Sequence, residues 1–187
     1  MPSSVLVPGA VAYCAGAGED ITFDLALLDR GVRVTTFDPT PRAMSHVDSL
    51  AVEDDGFRFV PVGWWNNDTE IDLYAPRDPA HVSYSALDLQ ETGESITVPV
   101  RRVVTLAREL GDAELDIVKM DIEGAEMVVL PDFLSSGPLP RVLCVEFDAV
   151  RPLRNVISLF RQVRRAGLQP VRSEGRNVTF VRDLSAS

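Results

Sequence analysis

Apolar residues along the chain fall into two alternating rhythms. Val11 to Ala15 form a short apolar run that ends at glycines, and "ITFDLALLDRG" follows with Ile21, Leu25 and Leu28 at helical spacing before Gly31 closes the segment. This predicts strand, glycine turn, helix. "VRVTTFD" then reads as a second strand that stops at Asp38 and a Pro-Thr-Pro break, a short helix is expected from about Pro41 to Leu50, and "FRFVPVG" is a third strand. From Trp64 to Val100 turn residues mix with short alternating pieces, which predicts an inserted hairpin with loops. Order returns with "RRVVTLARELG" as a helix, "LDIVKMD" as a buried strand, "GAEMVVLPDFL" as a helix and "RVLCVEFD" as a strand. An amphipathic helix over "PLRNVISLFRQVRRAG" carries Val156, Leu159, Phe160 and Val163 on one face, and "LQPVRS" and "NVTFVRD" flank a Gly turn as a terminal hairpin. The alternation of strand and helix is that of an open, doubly wound parallel sheet in a single α/β domain over residues 1–187.

Composition narrows the classes of partner. At 187 residues and 45% apolar content the chain suits one compact core. A net charge of −10 argues against nucleic acid or an anionic membrane surface as partner. The 18 basic residues are Arg apart from Lys119, a bias that a GC-rich genome would produce, and it makes the lone Lys worth following. Cys14 and Cys144 each lie inside an apolar run, so a disulfide framework is not expected and a reduced, cytoplasmic setting is. No apolar run approaches the roughly 18 residues that cross a bilayer, and no basic segment precedes an apolar one at the N-terminus. A soluble protein without export is the expectation.

The segment Ala12 to Pro41 carries the first candidate chemistry. A Gly turn between a strand and a helix lets a ligand approach the backbone, where unpaired N–H groups and a partial positive charge await it. Asp38 ends the next strand 20 residues after Gly18, where a carboxylate can accept the hydroxyls of an adenosine ribose. The frame Gly16-Ala17-Gly18-Glu19-Asp20-Ile21 lacks the third Gly of a dinucleotide fingerprint, and its acids would repel a pyrophosphate, so NAD and FAD are disfavoured. The same acids suit a ligand with ammonium and sulfonium groups, as S-adenosylmethionine has. The structural alternative is a turn whose glycines only permit close packing, with Asp38 capping the next helix.

"AGAGEDITFDLAL", "FDPTPR" and "DIVKMDIEGAE", in this order, resemble the FkbM-type branch of class I S-adenosylmethionine-dependent methyltransferases. The similarity runs from about Val11 to Phe147. It implies a Rossmann-like seven-stranded sheet of order 3-2-1-4-5-7-6, strand 7 antiparallel, with helices on both faces. It also implies roles: Gly16 and Gly18 line the methionine portion of the cofactor, Glu19 receives its ammonium, Asp38 takes the ribose hydroxyls, and backbone near Val62 and Gly63 flanks adenine. Asp121, at the end of strand 4, and Glu123 would face the methyl group and the acceptor, a hydroxyl on a sugar or secondary metabolite. The first turn departs from relatives that carry an acid and "GAN" there, having Tyr13-Cys14-Ala15-Gly16-Ala17-Gly18 instead.

Methyl transfer to oxygen asks the protein to orient the nucleophile and remove its proton. Asp121 or Glu123 is the expected base, and His81, in the irregular middle, is an alternative unless it is simply solvated. Glu146 and Asp148 end strand 5 beside Asp121, a carboxylate set of the kind that holds Mg²⁺, although the resemblance does not imply a metal. Lys119 is expected to pair with Glu123, Glu126 or another buried acid. Phe23 is expected to be core only. Trp64 or Trp65 either stacks on adenine or packs in the core. The inserted segment from Trp64 to Val100 would supply substrate contacts to a small-molecule acceptor, in a site that is either shallow or completed by a partner, with a homo-oligomer as one option. Two rivals remain: a degenerate fold that binds the cofactor and acts as an interaction module, and a nicotinamide oxidoreductase.

Overall fold

A computed structural model describes residues 5–74, 95–147 and 153–182. Its main sheet has seven strands: β1 (Val11–Ala15), β2 (Arg33–Phe37), β3 (Phe57–Val60), β7 (Ile117–Met120), β8 (Val142–Glu146), β9 (Leu168–Glu174) and β10 (Asn177–Arg182). They lie in the order β3-β2-β1-β7-β8-β10-β9, and β10 runs antiparallel to both neighbours. Counted within this sheet the order is 3-2-1-4-5-7-6, as the resemblance implies. The direction of winding reverses between β1 and β7, which pair in parallel with Ala12 opposite Ile117 and Ala15 opposite Met120. Ligands bind outside the carboxyl ends of strands at such a reversal.

Helices cover both faces. Tyr13, Val118, Met120, Leu143 and Val145 point to one side and pack with residues of α3 (Val103–Leu110), α4 (Glu126–Ser136) and α5 (Leu153–Arg165). Ala12, Cys14, Val34, Ile117 and Val142 point to the other, where Leu27 of α1 (Thr22–Leu28) meets them. The two central strands are therefore apolar on both faces, as a covered parallel sheet requires. Each fully buried Leu or Phe in these layers contributes about 1.5–3 kcal/mol. α2 (Pro41–Leu50) begins at Thr40, whose side chain accepts from the Ala43 N–H, with Pro41 in the first turn, where a missing N–H costs nothing. On α5 the expected face holds: Leu159 and Val163 are buried, and Phe160 stacks between Phe147 and Phe180.

The middle segment is more ordered than its composition suggests. β4 (Gly63–Trp64), β5 (Thr69–Tyr74) and β6 (Ser95–Arg101) form a second sheet of order β4-β6-β5, with the expected hairpin pairing of β5 and β6 and a parallel contact between β4 and β6. Asp68 fastens this sheet to α3, accepting from Arg102 N at 2.8 Å and Thr105 Oγ1 at 2.9 Å. Among the described residues no helix is long and apolar enough to cross a membrane.

Candidate functional site

The turn after β1 is built by Asp38. Its Oδ2 accepts from Ala17 N and Gly18 N, both at 3.0 Å, and its Oδ1 accepts from Thr40 N at 2.9 Å and Thr40 Oγ1 at 2.6 Å. A carboxylate has about four acceptor positions, so Asp38 is engaged on all sides while it ties the Gly turn to the start of α2. Most of the N–H groups expected to be free in this turn have partners: Gly16 N donates to Phe37 O and Asp20 N to Ala17 O as well. Gly16 has φ +89° and Gly18 φ +49°, both in the left-handed region. Beyond them Glu19 makes a two-pronged pair with Arg42 at 2.7 and 2.8 Å, which holds its carboxyl below the usual range. Asp20 accepts from Thr22 N at 2.8 Å, and that bond lowers its pKa too.

A second turn follows β7. Asp121 N donates to Ala15 O at 3.1 Å, so the ends of β1 and β7 stay together. Glu123 has φ +53°, uncommon for a residue with a side chain, and Gly124 has φ +95°. Glu126, only 1% exposed, reaches back so that one oxygen accepts from Ile122 N at 3.0 Å and Gly124 N at 3.3 Å. The acids Asp121 and Glu123 are thereby presented from a turn that a buried side chain holds.

Lys119 lies beneath both turns. Its Nζ donates to Gly16 O at 3.2 Å and to Asp121 Oδ2 at 3.3 Å, so the acid it bonds is Asp121. Burial opposes the charge, yet Asp121 and Asp24 outweigh it and raise the ammonium's pKa. Asp24 is buried on α1 and accepts from the Thr36 hydroxyl; burial pushes its carboxyl up. Cys14 pairs in register with Lys119, and burial drives its thiol upward.

These elements enclose a cavity of about 450 Å³ at the carboxyl ends of β1, β2 and β7. It brings together Gly16, Gly18, Glu19, Asp38, Asp121 and Glu123, with Gly63 on the far wall. Val62 does not line it, because its N–H turns back onto Val60 O at 2.8 Å and its side chain packs on the core. His81 and Asp148 lie outside the described residues. Phe23 lines the cavity as well as packing below it, a correction to its reading as core alone. Trp64 packs on Phe37 with ring centroids 5.4 Å apart; its buried Nε1 has no hydrogen-bond partner among the described residues. Trp65, Ile71, Leu73 and Val100 supply an apolar wall from the small sheet.

The opposite edge holds a residue that sequence reasoning missed. Asn177 lines the cavity and donates to Glu146 Oε2 at 3.2 Å, while Arg176 pairs with Glu146 Oε1 at 3.4 Å. Its one legible signal was its place beside the Gly turn of a hairpin whose neighbour ends at Glu146. Among the described residues no group of three His, Cys, Asp or Glu is arranged to hold a metal ion.

Solved structures share this fold at low sequence identity. Fibrillarin, a pre-rRNA processing protein of Methanococcus jannaschii, matches with TM-score 0.54 at 10% identity over 95% of this chain and 67% of its own. Aeropyrum pernix fibrillarin, with natively bound S-adenosyl-L-methionine, matches with TM-score 0.54 at 10% identity, over 95% and 68%. Magnesium protoporphyrin IX methyltransferase from Synechocystis PCC 6803, with the same molecule bound, gives TM-score 0.52 at 13% identity, over 97% and 73%. No curated protein sequence matches the chain. The profile of the methyltransferase FkbM domain matches residues 11–166, and with the strand order and the two turns in place the chain belongs to the FkbM methyltransferase family.

Proposed function

We propose that this protein transfers the methyl group of S-adenosylmethionine to a hydroxyl oxygen of a small molecule, a sugar or secondary metabolite. The observation that carries the reading is the single cavity that joins the Gly16–Gly18 turn to the Asp121–Glu123 turn at the reversal in strand order. Its lining fits the cofactor: the carboxylates favour a ligand with cationic groups, and the turn N–H groups that would bind a pyrophosphate are committed to Asp38. The buried Trp64 Nε1 offers a donor to the nitrogens of a base on the Gly63 side. Two of the fold's solved relatives carry the same cofactor.

When bound, the cofactor supplies a methyl group already activated by its sulfonium. The protein's part is alignment and proton removal. Asp121 or Glu123 accepts the hydroxyl proton as the O–C bond forms. Transfer would leave S-adenosylhomocysteine, the ether and a carboxyl of Asp121 or Glu123 that holds the acceptor's proton. Glu146 and Asn177 form the polar edge against which an acceptor rich in hydroxyls would lie. Asp38 holds the turn, and a ribose hydroxyl reaches it only by displacing the Thr40 hydroxyl.

Calorimetric titration with S-adenosylmethionine, S-adenosylhomocysteine and NAD⁺ tests the cofactor, and an acceptor screen with and without Mg²⁺ tests the chemistry. Binding of the first two and not the third is expected, and no binding of either defeats the reading. Asp121→Asn should slow turnover about a hundredfold or more while cofactor affinity changes far less. Cofactor binding with no turnover across sugar and phenol panels would instead identify a non-catalytic binding module.

A further inference from the structure

Among the described residues the cavity is lined by six carboxylates, those of Glu19, Asp20, Asp38, Asp121, Glu123 and Glu146, and by a single cation, Lys119. An amino-acid end on a ligand brings an ammonium and a carboxylate into that setting. The ammonium has a choice of acids. The carboxylate needs a donor, and without one it meets only like charge.

Backbone amides are the usual alternative, and most of those in the two turns already have partners within the protein. Gly16 N, Ala17 N, Gly18 N and Asp20 N donate within the protein, as do Asp121 N, Ile122 N and Gly124 N. Lys119 differs. An ammonium has three N–H donors, and the described residues take two of them, Gly16 O and Asp121 Oδ2, at distances toward the long end for such bonds, 3.2 and 3.3 Å. Its side chain is 20% exposed although it springs from the centre of the sheet, so it reaches the cavity that it helps line.

We propose that Lys119 receives the carboxylate of the cofactor's amino-acid end, with Gly16 O and Asp121 Oδ2 holding its ammonium in place. The inference rests on S-adenosylmethionine as cofactor and assigns the contact that the altered first turn leaves open. It explains why a lone lysine stands in a strand otherwise apolar on both faces. A merely structural lysine would need its acids and nothing from the ligand.

Decarboxylated S-adenosylmethionine keeps the adenosine, the sulfonium and the amine and lacks only the carboxylate, so calorimetry with both ligands isolates the contact. The parent should prefer S-adenosylmethionine over it by about tenfold to a hundredfold, the range of a hydrogen bond between charged groups. In Lys119→Met the preference should collapse to about threefold or less, and Lys119→Arg should retain part of it. Equal weakening of both ligands in Lys119→Met, with the preference intact, overturns the inference. Because the chain has one lysine, selective ¹³C-lysine labelling of the parent gives a single Cε resonance, a readout that stands even where Lys119→Met fails to fold. That resonance should move on saturation with S-adenosylmethionine or S-adenosylhomocysteine and stay with the decarboxylated analogue; an equal response to both also overturns the inference. A parent that binds both ligands alike refutes the Lys119 contact alone, whereas a parent that binds neither refutes the cofactor reading and this contact with it.

Discussion

Gly16 and Gly18 stand two residues apart in one turn and serve different ends. A Cβ added to Gly16 would run into the carbonyl oxygen of Asp121, whereas one added to Gly18 would meet nothing within 4 Å. Both have positive φ, so alanine at either position carries a backbone cost of about 1 kcal/mol. At Gly16 the clash adds to it, because the ends of β1 and β7 would have to part. Gly16→Ala should therefore lose about 3 kcal/mol or more in urea unfolding, and Gly18→Ala about 1 kcal/mol. Equal losses would show that the approach of Gly16 to Asp121 does not decide its identity. The two glycines were legible as a turn, but not which of them packs, because the contact that fixes Gly16 is made by a residue more than a hundred positions away. Asp38 shows the same limit. Its spacing after Gly18 marked it for a ribose, while its four bonds go to Ala17, Gly18 and Thr40, and it is Thr40 rather than Asp38 that caps the next helix.

At the scale of elements, the repeating units of the main sheet could be read because each strand and helix is long enough to show its period. Pro41–Leu50 forms the helix expected there, and Ile117–Met120 lies inside the expected buried strand. β4 could not be read: it has two residues and pairs with β6, whose partner residues are Val100 and Arg101, so it leaves no local pattern. The start of α4 was displaced for a related reason. "GAEMVVLPDFL" has helical spacing from Gly124, yet the helix begins at Glu126 because Ile122 to Ala125 form the turn that carries Glu123. The Glu126 side chain holds that turn, so Glu126→Ala strands two amides and opens a cavity at a loss of about 2–4 kcal/mol. Glu126→Gln keeps an acceptor oxygen and should lose markedly less, with turnover recovering in parallel. Thermal unfolding and methyl transfer measured on both variants check this, and an equal loss in the two would mean that the acceptor geometry is not what the turn requires.

For the whole molecule, the buried ionisable groups set how stability depends on pH. Burial and the hydrogen bond to Asp112, at 2.8 Å, push the Tyr13 phenol up. Burial raises the Cys14 and Cys144 thiols, and at Lys119 burial is outweighed by Asp121 and Asp24, so that ammonium also holds its proton more tightly when folded. As pH rises the unfolded chain releases these protons first, near 9.0 for the thiols, 10.0 for the phenol and 10.5 for the ammonium. The folded state then binds more protons than the unfolded one, and stability falls with rising pH by about 1.4 kcal/mol per pH unit for each group in that window. Asp24 acts lower on the scale: its contribution is complete below 3.8 and declines as pH climbs through its raised folded value, so it does not shape the alkaline limb. Glu19 and Asp20 have lowered values, so their contributions are present above 4.5 and 3.8 and fade in acid, but both are exposed and screened. The melting temperature should accordingly stay level through neutral pH and drop from about pH 9 upward. Tyr13→Phe separates one group from the rest. It removes a phenol bonded to Asp112 and is less stable than the parent at pH 7, but it has no phenol to titrate, so its decline above about pH 10 is shallower and the two curves converge. Parallel curves across that range would show that Tyr13 does not contribute to the alkaline loss.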